Sequence, residues 1–224
     1  MKVTRTNQSV IIPAYGASKF IKRCLQSILP YAKDILIGVD GCRKTADMLI
    51  KLNYPVKVYW FPENSGPYVV RNTLMGVSQA DRYLLIDADD EVTEKFFREL
   101  SGEWEVSRWM FKDVVKGNLV AGKCRYCYGA FGLTRKVFEK TGGFMPWRCH
   151  ADAEFRERTE PHIETTYINS VVYHRRVHSK SISKRMSHSA KLRKSYKKYM
   201  ESKDYTDAGL LKIKTVTAKC RRIL

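Results

Sequence analysis

The chain has 224 residues, 44% hydrophobic and 12% aromatic, enough for one α/β domain with its own core and too apolar for wholesale disorder. Lys and Arg number 41 against 23 Asp and Glu, a formal net charge of +18, and the excess falls late, with 16 basic and 4 acidic residues from Pro161 onward. Met1 to Asn7 lacks the apolar core of a secretory signal and no apolar run reaches membrane-spanning length, so a cytoplasmic location with the six cysteines as thiols is expected.

In chain order, Ser9 to Pro13 reads as a buried strand, Ser18 to Leu29 as a helix and Asp34 to Val39 as a second strand. Lys44 to Leu52 reads as a short helix and Val56 to Phe61 as a third strand. Pro67 to Ser78 is a helix opening on proline, and Arg82 to Ile86 is a fourth strand. This β-α-β-α-β-α-β series predicts a mostly parallel sheet, whose ligand sites lie at the carboxyl ends of its strands. Beyond Glu91 the alternation stops. Glu94 to Leu100 is helical, Glu105 to Phe111 and Cys124 to Leu133 are strands, and Arg135 to Thr141 is a helix ended by Gly142-Gly143. Asp152 to Arg158 is a further helix and Thr165 to Tyr173 a further strand, after which the chain turns basic and helical.

The polar residues at the predicted strand ends are Tyr15, Asp40, Glu63, Asn64 and the run Asp87-Ala88-Asp89-Asp90. No Gly-x-Gly-x-x-Gly follows the first strand and no Walker-type loop occurs, which disfavours dinucleotide oxidoreductases and P-loop NTPases. Three carboxylates within four positions repel one another unless a cation or hydrogen-bond donors face them. Oxygen-rich sites of this kind suit Mg²⁺ or Mn²⁺ bridging to a diphosphate, whereas helix capping before Thr93 explains only one of the three. Cys124 and Cys127 form a Cys-x-x-Cys with Cys149 and His150 further on. Without a second close pair, thiols in the core or on an edge strand are a better reading than zinc.

Ser9 to Tyr15 resembles the opening strand of the family 2 glycosyltransferases, with Gly16 where that family usually has Asn. Ile37 to Cys42 is similar to its paired-aspartate segment, with Val39 replacing the first aspartate and Asp40 keeping the second. Asn64-Ser65-Gly66 and Arg71-Asn72 match its Asn-x-Gly and Arg-Asn elements, and Leu84 to Asp90 its metal motif. Gly142-Gly143-Phe144 with Ala151 to Phe155 resembles its acceptor-side motif, and Arg176 to Ser183 the loop that closes over the donor.

The resemblance implies a single GT-A type α/β domain over residues 1–183, Rossmann-like, with a nucleotide-sugar half to about 92 and an acceptor half from 93. Residues 184–224 are then a basic helical extension. It implies a nucleotide-sugar donor, a UDP-sugar first of all, although thymine and guanine nucleotides present the same imide donor to Asp40. Pro13, Tyr15, Asp40, Asn64, Gly66, Arg71, Asp87, Ala88, Asp89 and Asp90 would surround that donor, with Tyr15 flanking the base and Asp90 supporting the sugar. Arg71 would pair either with a donor phosphate or with Asp87. Asp87 and Asp89 would hold Mn²⁺ or Mg²⁺, joined by His178 unless that residue is merely on the surface. Asp152 would be the base of an inverting transfer, with Trp147 and Glu154 on the acceptor side.

Leu192, Tyr196 and Tyr199 recur at helical spacing, flanked by Lys191, Arg193, Lys194, Lys197 and Lys198, a basic amphipathic helix for a polyanionic acceptor. One acceptor is a hydroxymethylated base in DNA, as in phage DNA modification, which would make the chain virus-encoded and place it in a host cytoplasm. The other is an envelope glycan or lipid-linked sugar, met by peripheral contact with the inner membrane face. Family habit favours the envelope, and the charge of a chain little longer than its catalytic core tips the sequence reading slightly toward nucleic acid. A nucleic-acid-binding module without catalysis is disfavoured by intact Asp87, Asp89 and Asp152. A nucleotidyltransferase is disfavoured by the poor match of Ala14-Tyr15-Gly16-Ala17 to a Gly-rich, basic loop.

Overall fold

The computed structural model describes residues 7–121, 124–179 and 212–224. The basic helix expected around Lys191 to Lys198 lies outside these residues. The first half follows the expected alternation: β1 (Gln8–Ala14), α1 (Ile21–Ile28), β2 (Ile35–Asp40), α2 (Arg43–Leu52), β3 (Lys57–Phe61), α3 (Pro67–Val77) and β4 (Arg82–Leu85). β1 and β2 are buried along nearly their whole length, as continuous apolar runs covered on both faces must be. α1 buries Ile21, Cys24, Leu25 and Ile28, one stripe at helical spacing.

The second half is less regular. It runs β5 (Glu91–Val92), α4 (Phe96–Glu99), β6 (Val106–Val115), β7 (Asn118–Leu119), β8 (Arg125–Tyr126), β9 (Gly132–Thr134), α5 (Arg135–Thr141), α6 (Ala151–Thr159), β10 (Thr165–Val177) and β11 (Arg221–Arg222). The single strand expected over Cys124 to Leu133 is in fact β8 and β9 with a bend between them. There the Ala130 amide donates to Cys127 Sγ at 3.4 Å, turning the chain beside α6.

The described strands join one sheet, ordered β11-β3-β2-β1-β4-β9-β6-β10-β5, with β7 and β8 pairing β6 off that path. β1 pairs in parallel with β2 and with β4, and β2 with β3, so the carboxyl ends of β1 to β4 share one rim. Chain order reverses across β1, the place where doubly wound sheets open a crevice for ligands. β9 enters antiparallel between β4 and β6, joining the halves into one sheet.

Gly38 sets the position of α3. A Cβ at that residue would lie 2.3 Å from Val70 Cγ1, so only glycine lets the helix sit this close to β2. Among the described residues no helix is long and apolar enough to cross a membrane.

Residues 212–224 are extended rather than helical, and they return to the domain. β11 pairs antiparallel with β3. Ahead of it, the Ile213 amide donates to Thr141 O at 3.0 Å and Thr215 Oγ1 to Gly142 O at 2.9 Å. The Ala218 amide donates to Thr73 Oγ1 at 3.0 Å, and Asn72 Nδ2 to Val216 O at 3.2 Å. Gly142 has φ +78°, and a Cβ on it would meet Ile213 O at 1.9 Å.

Gly142→Ala is therefore expected to cost about 2 kcal/mol from left-handed strain alone. It should also lift the terminal segment off α3. Urea denaturation and limited proteolysis check this: the midpoint falls, and a C-terminal fragment is released faster than from the wild type.

Candidate active site

The third strand leads into a loop that Asp40 holds. One carboxylate oxygen accepts the Ser65 amide at 2.6 Å and the other the Gly66 amide at 2.9 Å, at the entrance to α3. Asp40 is only 2% exposed. Burial raises its carboxyl above the usual range, while those two amides and Arg148 pull it back. Both oxygens are thus engaged by the backbone at the entrance to α3, beside the rim where a base contact is expected from sequence. Tyr15, 62% exposed at the end of β1, is the open side chain at that rim. Pro13 lies buried within β1 and Ala88 is buried among the acidic residues.

Asn64 is fixed from the second half of the chain. Arg148 donates through Nη1 to Asn64 Oδ1 at 2.5 Å and through Nη2 to Asn64 O at 2.8 Å. Trp147, half-buried against the core, brings its carbonyl near Gly66. The 144–150 loop thus closes one wall of the cleft.

The acidic run leaves the carboxyl end of β4, and each carboxylate has a separate partner. Arg71, 2% exposed on α3, donates to Asp87 Oδ1 at 2.6 Å, one of the two partners expected for it. Asp89 Oδ2 lies 2.7 Å from His178 Nε2, and the imidazole stacks on Phe20 with ring centroids 4.8 Å apart. Asp90 Oδ1 accepts the Arg176 amide at 2.7 Å. The Tyr173 hydroxyl hydrogen-bonds the Asp90 carboxyl and accepts the Asp87 amide at 3.2 Å. The Arg176 side chain reaches Glu91 and donates through Nε to Asp89 O at 3.2 Å.

Burial raises Asp87 to about 6, Arg71 opposes this, and the charges of Asp89 and Asp152 add to it. Its side chain is still 42% exposed, so water screening tempers the push. Asp90 is raised well above the ordinary carboxylate range, by burial first and then by Asp89 and Asp87. Being buried and tied to β10, it braces the acidic run instead of reaching for a sugar as the sequence suggested.

For a divalent cation, the pair on hand is Asp89 and His178. One carboxylate oxygen and one imidazole nitrogen already meet, a donor set that suits Mn²⁺ better than Mg²⁺, whose ligands are oxygens. Asp87, expected beside them, is engaged by Arg71. No group of three His, Cys, Asp or Glu donors arranged for a metal occurs among the described residues. A two-ligand protein set fits an ion held jointly with substrate phosphates, the usual way Mg²⁺ binds. Cys127 is buried, and burial pushes its thiol up to about 12, which makes it a core thiol with little tendency to ionise.

Asp152 opens α6, half-buried, and faces this run across α3. Its Oδ1 accepts the Tyr68 hydroxyl at 2.6 Å. Glu154 points the other way. It is fully buried against Arg158, with Nε to Oε1 at 2.8 Å, and Arg158 also donates to Thr141 O and Gly143 O. Glu154 is thus a core residue rather than an acceptor contact, because its place on α6 turns it inward.

Sequence reasoning passed over Tyr68, Phe20, Arg148 and Tyr173. Tyr68 carried a usable signal, since it stands three positions before Arg71 on one helix face. Lys191, Arg193, Lys194, Lys197 and Lys198 lie outside the described residues.

The model of the family described as "Glycosyl transferase family 2" matches residues 9–123. Putative teichuronic acid biosynthesis glycosyltransferase TuaG of Bacillus subtilis is 30% identical over 90 residues, covering 37% of this chain and 36% of that protein. YibD, an uncharacterized glycosyltransferase of Escherichia coli, is 32% identical over 98 residues, covering 41% of this chain and 28% of that protein. Among solved structures, S. aureus TarS 1–349 in complex with UDP-GlcNAc superposes with a TM-score of 0.68 at 16% identity. That match covers 82% of this chain and 61% of the TarS chain. The UDP complex of the same protein gives 0.66 at 17% identity, covering 77% and 61%. The TarS likeness shows the GT-A fold, and the chain spans less than two thirds of each of these relatives.

Glu154→Ala is expected to cost about 3–5 kcal/mol, because it strands the buried Arg158 charge. Urea unfolding should show the loss, while the folded fraction keeps the wild-type acceptor KM; a raised KM at unchanged stability would return Glu154 to the acceptor site.

Proposed function

Since the chain belongs to glycosyltransferase family 2, whose model spans more than half of it, we propose that it transfers a sugar from a UDP-sugar to a hydroxyl of a cell-envelope glycan, with inversion. One observation carries this reading. Tyr68 and Arg71, on successive turns of α3, hold Asp152 and Asp87, so the Asp152 carboxylate is fixed close enough to the acidic run for its charge to act on Asp87. UDP as the carrier is supported by TarS, a protein of the same fold solved with UDP and with UDP-GlcNAc.

In the proposed mechanism Tyr15 flanks the base, and Asp40 acts through the backbone by holding the Asn64–Gly66 loop in place. Asp89 and His178 would hold the divalent cation, which when bound would offset the charge growing on the leaving diphosphate. Asp152 takes the proton from the acceptor hydroxyl as its oxygen forms a bond to the anomeric carbon, from the face opposite UDP. The bond from that carbon to UDP breaks, and UDP leaves with the electron pair. Arg71 keeps Asp87 ionised and directed into the cleft.

A glycan acceptor is supported by TuaG, whose name places it in teichuronic acid biosynthesis. A net charge of +18 complements an acidic polysaccharide. The same charge is the observation favouring the second reading, modified-base DNA, for which the relatives offer no parallel. In the first reading the enzyme works in the cytoplasm, where nucleotide sugars are made, in peripheral contact with the membrane that carries its acceptor.

The test presents a panel of nucleotide sugars and Mn²⁺ with an acidic envelope glycan and, separately, with hydroxymethyl-base DNA, and reads product mass. Transfer to the glycan alone is expected, and transfer to the DNA alone would overturn the acceptor assignment. Asp152→Asn should reduce transfer by about 10²-fold or more with donor affinity retained. Donor affinity measured with Mn²⁺ should weaken as pH falls through about 6, where Asp87 takes up a proton and the acidic run attracts the cation less strongly. Calorimetry across pH 5 to 8 checks this; a flat profile would remove Asp87 from donor binding.

A further inference from the structure

Resting on the reading of Asp152 as the base, we infer that Tyr68 is the residue that positions it. Tyr68 is 7% exposed, its hydroxyl donates to Asp152 Oδ1 at 2.6 Å, and its ring packs against Phe144 with centroids 5.4 Å apart. The Arg71 guanidinium lies over the same ring at 5.5 Å. Burial first, and then the Asp152 charge, raise the Tyr68 hydroxyl well above its ordinary pKa, so it keeps the proton that it donates to Asp152.

The consequence for Asp152 is directional. A carboxylate at the start of a helix can rotate, and its two oxygens are equivalent until something distinguishes them. Tyr68 engages Oδ1, leaving Oδ2 to meet the acceptor hydroxyl. Behind Oδ2 lies Gly129, where a Cβ would stand 3.5 Å from that oxygen, so the bend between β8 and β9 approaches it with backbone alone. The ring is held by Phe144 and Arg71, and Phe144 in turn by Asn72, whose Oδ1 accepts the Phe144 amide at 2.9 Å. The base is thus oriented by the helix that also carries the partner of Asp87, and donor and acceptor carboxylates keep a fixed relation.

Tyr68→Phe retains the ring and removes the hydroxyl. It is expected to lower kcat for transfer by about 10- to 100-fold, with donor Kd, acceptor KM and thermal midpoint unchanged. In a double-mutant cycle, Tyr68→Phe added to Asp152→Asn should leave the residual rate of UDP-sugar turnover unaltered, since Tyr68 acts through Asp152. Wild-type kcat in Tyr68→Phe beside an inactive Asp152→Asn would overturn the inference and leave Asp152 as the base. An equal loss from Tyr68→Phe in both backgrounds would overturn it too, making the tyrosine a packing residue. Full transfer by Asp152→Asn would instead remove the reading on which the inference rests.

Discussion

Crowding of negative charge at the carboxyl end of β4 is the constraint that the rest of the structure answers. Asp87, Asp89, Asp90 and Glu91 stand together with Asp152 nearby, and their partners come from three places: Arg71 and Tyr68 on α3 for Asp87 and Asp152, Arg176 on β10 for Asp90 and Glu91, and His178 after β10 for Asp89. In a partly water-excluded cleft such repulsion would otherwise protonate or splay the carboxylates. Satisfying them one at a time fixes the positions of elements far apart in sequence. The same charges are what a cation and a diphosphate would complete.

α3 is central to that arrangement. Its approach to the sheet depends on the missing side chain of Gly38, its entry on the two amides taken by Asp40, and its exit side on Asn72 and Thr73. A helix so fixed at both ends can present Tyr68 and Arg71 with little freedom. This is the rigidity that reacting groups need if they are to meet in a productive geometry.

The parallel half was legible in the sequence because its strands are buried on both faces and read as unbroken apolar runs, with helices of clear period between them. The later half was less so. Cys124 to Leu133 has strand composition throughout, and only the tertiary need for a bend beside α6 divides it. Glu154 looked like an acceptor contact because a charged residue beside Asp152 suggests a site; its buried partner Arg158 lies one turn on and could have been paired with it. The carboxylates were legible as a class, but not their partners: Asp40 takes two backbone amides ahead of α3, and Asp90 takes one from β10. Tyr68 sits in an apolar stretch, where a tyrosine reads as core until its hydroxyl is seen to have a target.

The terminal segment beside β3 has an implication for solubility. Without it β3 would be the rim of a long sheet, an open row of amides and carbonyls with aromatic side chains on either side. Such rims recruit strands from neighbouring molecules. By pairing Arg221 and Arg222 with Tyr59 and Trp60, the chain covers that rim with its own backbone and lines it with like charge. Two copies approaching edge to edge would meet guanidinium against guanidinium, so this terminal segment guards the β3 side of the sheet against self-association.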